Sequence, residues 1–140
     1  MNPPMSSAHV VAIVDDDASV RQSARRLIRS LGYRAEAFGS AEEFLDSGQS
    51  TKTACVILDV RMPGMDGLEL QRRLAGNEPP IPIMFITARA SDEEEQRALR
   101  AGAVAFLRKP VEKEALLRVL GAVLERSASG GGNRNDDRSS

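Results

Sequence analysis

Two apolar segments of the chain end in carboxylates. Three consecutive aspartates at residues 15–17 follow the segment 10–14, and Asp59 follows the segment 54–58. If two such segments lie side by side, like charges about 4 Å apart repel by roughly 4 kcal/mol at an effective dielectric constant near 20. A bound cation relieves this repulsion, and a site built only from oxygen ligands favours Mg2+. The sequence therefore predicts a Mg2+ site made of aspartates.

Two more segments end in groups that suit a phosphoryl ligand. Thr87 closes the segment 83–86, and Lys109 follows the segment 104–107. Beside Mg2+ and carboxylates, an ammonium group neutralises phosphoryl oxygens and a hydroxyl donates a hydrogen bond to them. A carboxylate can also be the nucleophile and form an acyl phosphate. These side chains together predict a site that accepts or binds a phosphoryl group.

The elements that must position these side chains alternate between strand and helix. Apolar or alternating segments predict strands, and the N-cap residues Asp17, Ser40 and Ser91 predict helix starts, the last two within capping boxes. Five strands, each followed by a helix, predict an α/β fold with a parallel sheet covered on both faces. The expected architecture is the flavodoxin-like, doubly wound, five-stranded sheet with strand order 2-1-3-4-5. This order makes the first and third strands neighbours, so the aspartates after them meet in one pocket.

Length and composition limit the range of functions. The 140 residues suit one domain, expected over residues 9–126, with a flexible segment 1–8 and a disordered tail 127–140 rich in Gly, Ser and Asn. A net charge of −1 gives no indication of binding to nucleic acid or to a membrane. The single cysteine, Cys55, lies in an apolar segment and is expected to be buried and unreactive. The absence of a visible signal peptide or spanning stretch predicts a cytoplasmic location.

Taken in order, the motifs resemble the receiver domain of two-component response regulators, in the CheY-like superfamily. The resemblance is carried by Val14-Asp15-Asp16, by the stretch from Leu58-Asp59 to Asp66-Gly67, by Ile86-Thr87-Ala88 and by Lys109-Pro110. It extends from about His9 to Arg126. The segments 40–45 and 102–107 are most similar to receivers of the FixJ type.

This resemblance implies a role for each residue of the predicted pocket. Asp59 accepts a phosphoryl group from a sensor histidine kinase or a histidine phosphotransfer protein. Asp16, Asp59 and the backbone carbonyl of Arg61 bind Mg2+ directly, and Asp15 holds a water bound to the metal. Lys109 contacts the phosphoryl oxygens. The chain is then a phospho-acceptor switch rather than an enzyme, with only self-catalysed phosphotransfer and autodephosphorylation.

The resemblance also implies a switch. Thr87 moves to donate a hydrogen bond to the phosphoryl group, and Phe106 rotates into the vacated space. Many relatives carry Tyr where this chain has Phe106, so a hydroxyl contact is missing here. The peptide bond between Lys109 and Pro110 is expected to be cis. The surface formed by the fourth helix, fifth strand and fifth helix is expected to bind a partner or form a homodimer.

Simpler local interpretations compete with some of these roles. Thr87 can bond to nearby backbone, as hydroxyls at strand ends often do. The acidic residues 93–95 are expected to form a solvated helix start that suits the helix dipole. His9 is expected to be a plain exposed or edge residue.

Other functions remain open at this stage. The chain can be a stand-alone receiver or the receiver fragment of a FixJ-type DNA-binding transcription regulator. A Mg-dependent phosphatase of the haloacid dehalogenase kind needs an Asp-x-Asp motif, where this chain has Asp59-Val60-Arg61. A flavodoxin needs a Ser/Thr/Gly loop after the first strand, where this chain has three acids.

Overall fold

The structure, a computed structural model, describes residues 10–77 and 80–133, with side chains up to Glu125. Strands and helices alternate along the chain, and one short 3-10 turn, Ser50–Lys52, precedes the third strand. The strands are β1 Val10–Val14, β2 Arg34–Phe38, β3 Thr53–Leu58, β4 Ile83–Thr87 and β5 Ala105–Arg108. The helices are α1 Ala18–Ser30, α2 Ala41–Asp46, α3 Gly67–Leu74, α4 Asp92–Arg100 and α5 Lys113–Asn133.

The five strands form one parallel sheet in the order β2-β1-β3-β4-β5, so the predicted fold is confirmed. Strands that are consecutive in sequence are joined through helices, and these crossovers place helices on both faces of the sheet. Val14 at the end of β1 pairs with Leu58 at the end of β3 and with Phe38 at the end of β2. Three strands therefore end at the same level, and the residues after them share one edge.

Alternate strand residues enter two separate cores. Val14, Leu58 and Phe85 pack against α2, α3 and α4 on one face, together with the buried rings of Phe38 and Phe44. On the other face, strand residues pack against Ile28 of α1 and against Leu116 and Leu120 of α5. These strand residues are Val11, Ile13, Cys55, Ile57 and Met84. Strands buried on both faces read as continuous apolar runs, which is why the sequence pattern located them so closely.

Side-chain caps begin the helices where the sequence predicts them. Asp17 accepts from the backbone N–H groups of Ser19 and Val20, at 2.9 and 3.2 Å. Ser91 and its partner Glu94 form a complete capping box. At α2 the box is modified: Ser40 accepts from the Glu43 backbone N–H, but the Glu43 carboxylate accepts from Gly39.

The ends of three elements differ from prediction, and the first of these is β3, which begins one residue early at Thr53. β5 is shifted by one residue, because Val104 is 39% exposed and donates its N–H to the carbonyl of Ile83 ahead of the ladder. The expected disordered tail from residue 127 differs at its start, since α5 continues to Asn133. A helix that is already packed gains one backbone hydrogen bond for each residue added.

The remaining terminal predictions concern residues 1–9, including His9, and residues 134–140. These lie outside the described residues. Within residues 10–77 and 80–133, no helix combines the length and apolar character needed to cross a bilayer.

Candidate functional site

The carboxylates predicted to meet lie together at the carboxyl edge of the sheet. The pairing of β1 with β3 brings Asp15 and Asp59 out of the sheet side by side. Asp15 (4% exposed) and Asp59 (8% exposed) are buried, whereas Asp16 is exposed. One carboxylate oxygen from each of the three residues lies within 4.8 Å of the others. The site is thus a cluster of three acids, two of them removed from water.

The donor atoms of this cluster suit a hard divalent cation. Oxygen ligands of one Mg2+ lie about 2.0–2.1 Å from it and so roughly 3–4 Å from each other, and small side-chain movements would bring oxygens that lie within 4.8 Å to this spacing. Asp15 Oδ1 accepts the Asp17 backbone N–H at 2.9 Å, and Asp59 Oδ1 accepts the Arg61 backbone N–H at 3.3 Å. A carboxylate offers about four lone-pair sites, so acceptor positions remain for a cation.

Lys109 provides positive charge next to the two buried carboxylates of the cluster. Its backbone N–H donates to the carbonyl of Thr87 at 2.9 Å, which fixes the chain at the end of β5. Its Nζ lies 3.1 Å from Asp15 Oδ2 and 3.6 Å from Asp59 Oδ2. The peptide bond that follows, to Pro110, is cis as predicted. Lys109 therefore bridges the two buried carboxylates.

Burial and pairing act on these ionisable groups in opposite directions. Burial raises the pKa of the Asp15 carboxyl, hydrogen bonding from the Asp17 backbone opposes this, and the charge of Asp59 adds to it. Burial alone lowers the pKa of Lys109, but hydrogen bonding to Asp15 and the charges of Asp15 and Asp59 outweigh it, so the pKa is raised. The surroundings thus favour the charged form of Lys109 and disfavour the ionised form of Asp15.

The loop after Asp59 is closely packed against its own start. A Cβ at Gly67 would lie 2.2 Å from the carbonyl oxygen of Asp59, far inside van der Waals contact. The Gly67 N–H donates to the carbonyl of Val60 at 2.9 Å, and Asp66 caps α3 by accepting from Glu69. The sequence marks Gly67 only as a loop residue, but its missing side chain is what lets α3 begin directly behind the Asp59 backbone.

Glu42 is a site-supporting residue that the sequence pattern does not reveal. Its Oε2 accepts the Met65 backbone N–H at 2.9 Å and lies beneath Gly64, which has a positive φ of 75°. Hydrogen bonding from Met65 lowers the pKa of this carboxyl. In the sequence Glu42 lies within a predicted capping box, and no local pattern indicates its contact with Met65, 23 residues further along the chain. It joins α2 to the loop that carries Asp59.

The two predicted switch residues are not among the residues of the acid cluster. Thr87 is fully buried, and its hydroxyl donates to the carbonyl of Arg89 at 3.2 Å rather than towards the carboxylates. Phe106 is half-buried, with its ring 5.6 Å from that of Phe85 and 5.5 Å from the Arg108 guanidinium carbon. The local-backbone interpretation of Thr87 therefore describes this conformation.

Two cavities share the cluster. A polar cavity of about 430 Å3 is lined by the acids 15–17, Asp59, Arg61, Ala88, Arg89 and Lys109. An apolar cavity of about 410 Å3 lies on the α1–α5 side and shares Asp15, Asp59 and Lys109 with it. Cys55 lines neither; its thiol is buried, and burial raises its pKa to about 12, as expected for an unreactive cysteine.

Arginines pair with the acidic run 92–95 at the start of α4. The sequence predicts residues 93–95 of this run to be solvated. Arg61 Nη2 lies 2.8 Å from Glu94 Oε1. Arg108 Nη2 lies 2.9 Å from Glu95 and 3.5 Å from Asp92, and its Nη1 donates to the carbonyl of Ala90 at 2.7 Å. The expectation of a solvated run was therefore incomplete, because two arginines from other elements hold it.

Comparison with known proteins decides the family. A family model described as the response regulator receiver domain matches residues 11–121. The chain belongs to this family. As a receiver domain it takes part in two-component signalling, and such domains generally receive phosphate from histidine kinases. The family is not one of typical enzymes.

Individual relatives agree with this assignment. Nodulation protein W of Bradyrhizobium diazoefficiens is 44% identical over 121 residues, which cover 86% of this chain and 53% of the relative. The transcriptional regulatory protein FixJ of the same organism is 34% identical over 123 residues, which cover 88% and 60%. The crystal structure of a response regulator receiver protein from Burkholderia phymatum is 48% identical, with a TM-score of 0.72 and coverage of 83% and 94%. The chain spans little more than half the length of these two curated relatives.

Proposed function

We propose that Asp59 is the phospho-acceptor of this receiver, and that its donor is a phosphohistidine of a sensor histidine kinase or of a histidine phosphotransfer protein. The observation that carries this is the position of Asp59 at a strand end, 8% exposed, 3.6 Å from Lys109 and beside a polar cavity. Both oxygens of Asp15 are already in short contacts, with Asp17 and Lys109. Asp59 is the buried carboxylate better able to change partners.

The chemistry is a nucleophilic displacement at phosphorus. A carboxylate oxygen of Asp59 attacks the phosphoryl group, the P–N bond of the donor breaks, and its electron pair stays on the imidazole nitrogen. Lys109 neutralises the phosphoryl oxygens while its contact with Asp15 keeps the ammonium in place. Close packing of Gly67 against the Asp59 carbonyl holds the backbone that carries the acceptor.

We assign the Mg2+ ligands as Asp16, Asp59 and the backbone carbonyl of Arg61, with Asp15 acting through a water. When bound, Mg2+ supplies positive charge to the phosphoryl oxygens. The excess of three carboxylates over one ammonium supports this assignment. Asp16, the exposed member, is the side chain most free to turn towards a cation entering from solvent.

Thr87 and Phe106 are the proposed switch. The Thr87 hydroxyl has two possible acceptors, the Arg89 carbonyl in the present conformation and the phosphoryl group after transfer. Phosphorylation biases this choice, and Phe106 follows into the space that Thr87 leaves. The surface of α4, β5 and α5 then changes and binds a partner or a second copy of the chain. In Thr87→Ala, chemical shifts around Phe106 should no longer respond to phosphorylation.

Intact-mass spectrometry tests the acceptor directly. After incubation with Mg2+ and acetyl phosphate, the parent protein should gain about 80 Da, the mass of one phosphoryl group on a carboxylate nucleophile. Asp59→Asn should gain nothing, and EDTA should suppress the gain in the parent. The control is Asp46→Asn, which changes an exposed acid at the end of α2 and should label like the parent. Normal labelling of Asp59→Asn refutes the assignment.

The relatives bear on the whole protein. Both curated relatives described above extend well beyond the region matched by this chain, and one is named a transcriptional regulatory protein. A receiver that controls an attached FixJ-type DNA-binding domain is therefore the second candidate, beside the stand-alone receiver. The length of the encoded protein in a cell extract, measured with an antibody to this domain, distinguishes the two.

A further inference from the structure

Arg61 lies where it can reach the phosphoryl group. It follows Asp59 by two residues, and its backbone N–H already donates to Asp59 Oδ1 at 3.3 Å. Its side chain lines the same polar cavity as Asp59 and Lys109. The guanidinium group is half-exposed, with 54% of the side chain accessible, and it extends from this loop to the first turn of α4. Arg61 thus lies at the mouth of the phospho-acceptor cavity.

The Arg61 side chain is paired with Glu94, and Glu94 also belongs to the capping box of α4. Glu94 Oε1 accepts from Arg61 Nη2 at 2.8 Å and from the Ser91 backbone N–H at 3.0 Å. The Glu94 backbone N–H in turn donates to Ser91 Oγ at 3.1 Å. The Glu94 side chain is only 17% exposed. One carboxylate oxygen therefore connects a cation of the cavity to the capping box of α4.

We propose that Arg61 is a phosphoryl-binding residue, which Glu94 holds at the mouth of the cavity until Asp59 is phosphorylated. This proposal rests on the proposed function of Asp59. Before transfer, Asp59 carries one charge and has Lys109 at 3.6 Å. In the acyl phosphate, the phosphoryl group presents about 1.5–2 negative charges and three acceptor oxygens where the carboxylate presented a single charge. The planar guanidinium group binds such oxygens in pairs, so the phosphoryl group competes with the single Glu94 carboxylate.

The exchange has a consequence for α4. When Arg61 turns to the phosphoryl group, Glu94 keeps its capping-box contact with Ser91 but loses its counter-charge. The acidic run 92–95 then repels itself more strongly, and the first turn of α4 opens more often. This ionic route runs from Asp59 to α4 without Thr87 or Phe106.

Beryllofluoride, a phosphoryl mimic that needs no donor protein, provides the test. In the full chain with Mg2+, we follow the Arg61 side-chain NMR signal and the hydrogen exchange of the Ser91 and Glu94 amides. In the parent, beryllofluoride should shift the Arg61 signal and speed both amides by about two- to five-fold, the factor that a partly exposed ion pair represents. In Glu94→Gln beryllofluoride should not change the exchange of these amides, because Gln can keep the capping contact and has no counter-charge to lose. Thr87→Ala should still respond at Ser91.

Affinity for the mimic distinguishes competition from helix damage. Because Glu94 withholds Arg61, Glu94→Gln should bind beryllofluoride about two- to five-fold more tightly. In an Arg61→Ala background the same substitution should have no effect. Glu93→Gln is the matched control: it removes one charge from the same turn at an exposed position, and its affinity should equal that of the parent.

Three results would overturn the proposal in distinguishable ways. If beryllofluoride shifts the amides of Asp59 and Lys109 but not the Arg61 side chain, Arg61 does not bind the phosphoryl group, and the acceptor assignment stands. If no residue of the cavity responds in the parent, the acceptor assignment fails and the proposal fails with it. Equal tightening by Glu94→Gln and Glu93→Gln also overturns it, because the effect is then general electrostatics.

Discussion

The acidic run 15–17 after β1 and the acidic run 92–95 at the start of α4 look alike in sequence but have different surroundings. In the first run, Asp15 is 4% exposed and adjoins the buried Asp59. The ion pairs of that cluster within the described residues involve a single cation, Lys109. In the second run, two arginines from different elements pair with the acids, and the helix dipole favours the rest.

This difference teaches what makes an acidic run functional. Negative charge at a helix start is already compensated where arginines and backbone N–H groups surround it. At the ends of β1 and β3, the register of the sheet brings more carboxylates together than the nearby cations neutralise. The first run therefore keeps uncompensated negative charge that a cation can neutralise, whereas the second run stabilises its helix. Position relative to the sheet, rather than the number of acids, decides which outcome applies.

The largest predicted difference between the runs is their effect on Mg2+ binding. At a free Mg2+ concentration a hundredfold above its Kd, the free energy of unfolding of the parent should rise by about 2.7 kcal/mol. Asp16→Asn should lose most of this increment and should be more stable than the parent in EDTA, because repulsion is relieved. Urea unfolding with Mg2+ and with EDTA measures both. Glu93→Gln, in the second run, should keep the full increment; a loss there would contradict the distinction.

Much of the fold follows from the sequence for a physical reason. Strands buried on both faces are continuous apolar runs, and a polar residue ends each run where the strand leaves the sheet. β1 was therefore predicted with its observed ends, and the strand order brought Asp15, Asp16 and Asp59 together. The proximity of Lys109 also follows, because the carboxyl ends of parallel strands share one edge.

The sequence does not reveal contacts that long side chains make across loops. Arg61 to Glu94 spans 33 residues, and Glu42 to Met65 spans 23. Neither contact leaves a periodic pattern in the sequence. Each partner would also be ordinary as a surface residue with local contacts only. The close approach of Gly67 to Asp59 is likewise a tertiary fact, since a glycine in a loop has many explanations. Thr87 illustrates the converse: the motif suggests a phosphoryl contact, but its hydroxyl is bonded to Arg89.

Capping provides an intermediate effect that the two runs should share. Asp17 in the first run and Ser91 before the second each accept helix N–H groups, so Asp17→Ala and Ser91→Ala should each lower the free energy of unfolding by about 1 kcal/mol. Asp17→Asn should cost much less, since Asn also caps well. Asp17 is not among the three clustered acids, so Asp17→Ala should retain the Mg2+ increment. If it does not, capping and cation binding are not separable within the first run.

The smallest predicted effect is the contribution of Arg108 to stability through its ion pairs with the second run. Its guanidinium lies 2.9 Å from Glu95, whose side chain is 34% exposed, but 3.5 Å from Asp92, whose side chain is 98% exposed. Exposed ion pairs contribute little, because water screens them and side-chain entropy opposes them. Double-mutant cycles with Arg108→Met, Glu95→Gln and Asp92→Asn remove the helix-dipole contribution that each acid makes by itself.

From urea unfolding, the coupling of Arg108 with Glu95 should be about 0.5 kcal/mol, and that with Asp92 should be near zero. High salt should reduce the first value, because a half-exposed pair is still screened. Equal coupling to both acids would mean that Arg108 acts on the run as a diffuse positive charge. The second run would then resemble the first, in which one cation serves two acids, and the contrast between the two runs would not hold.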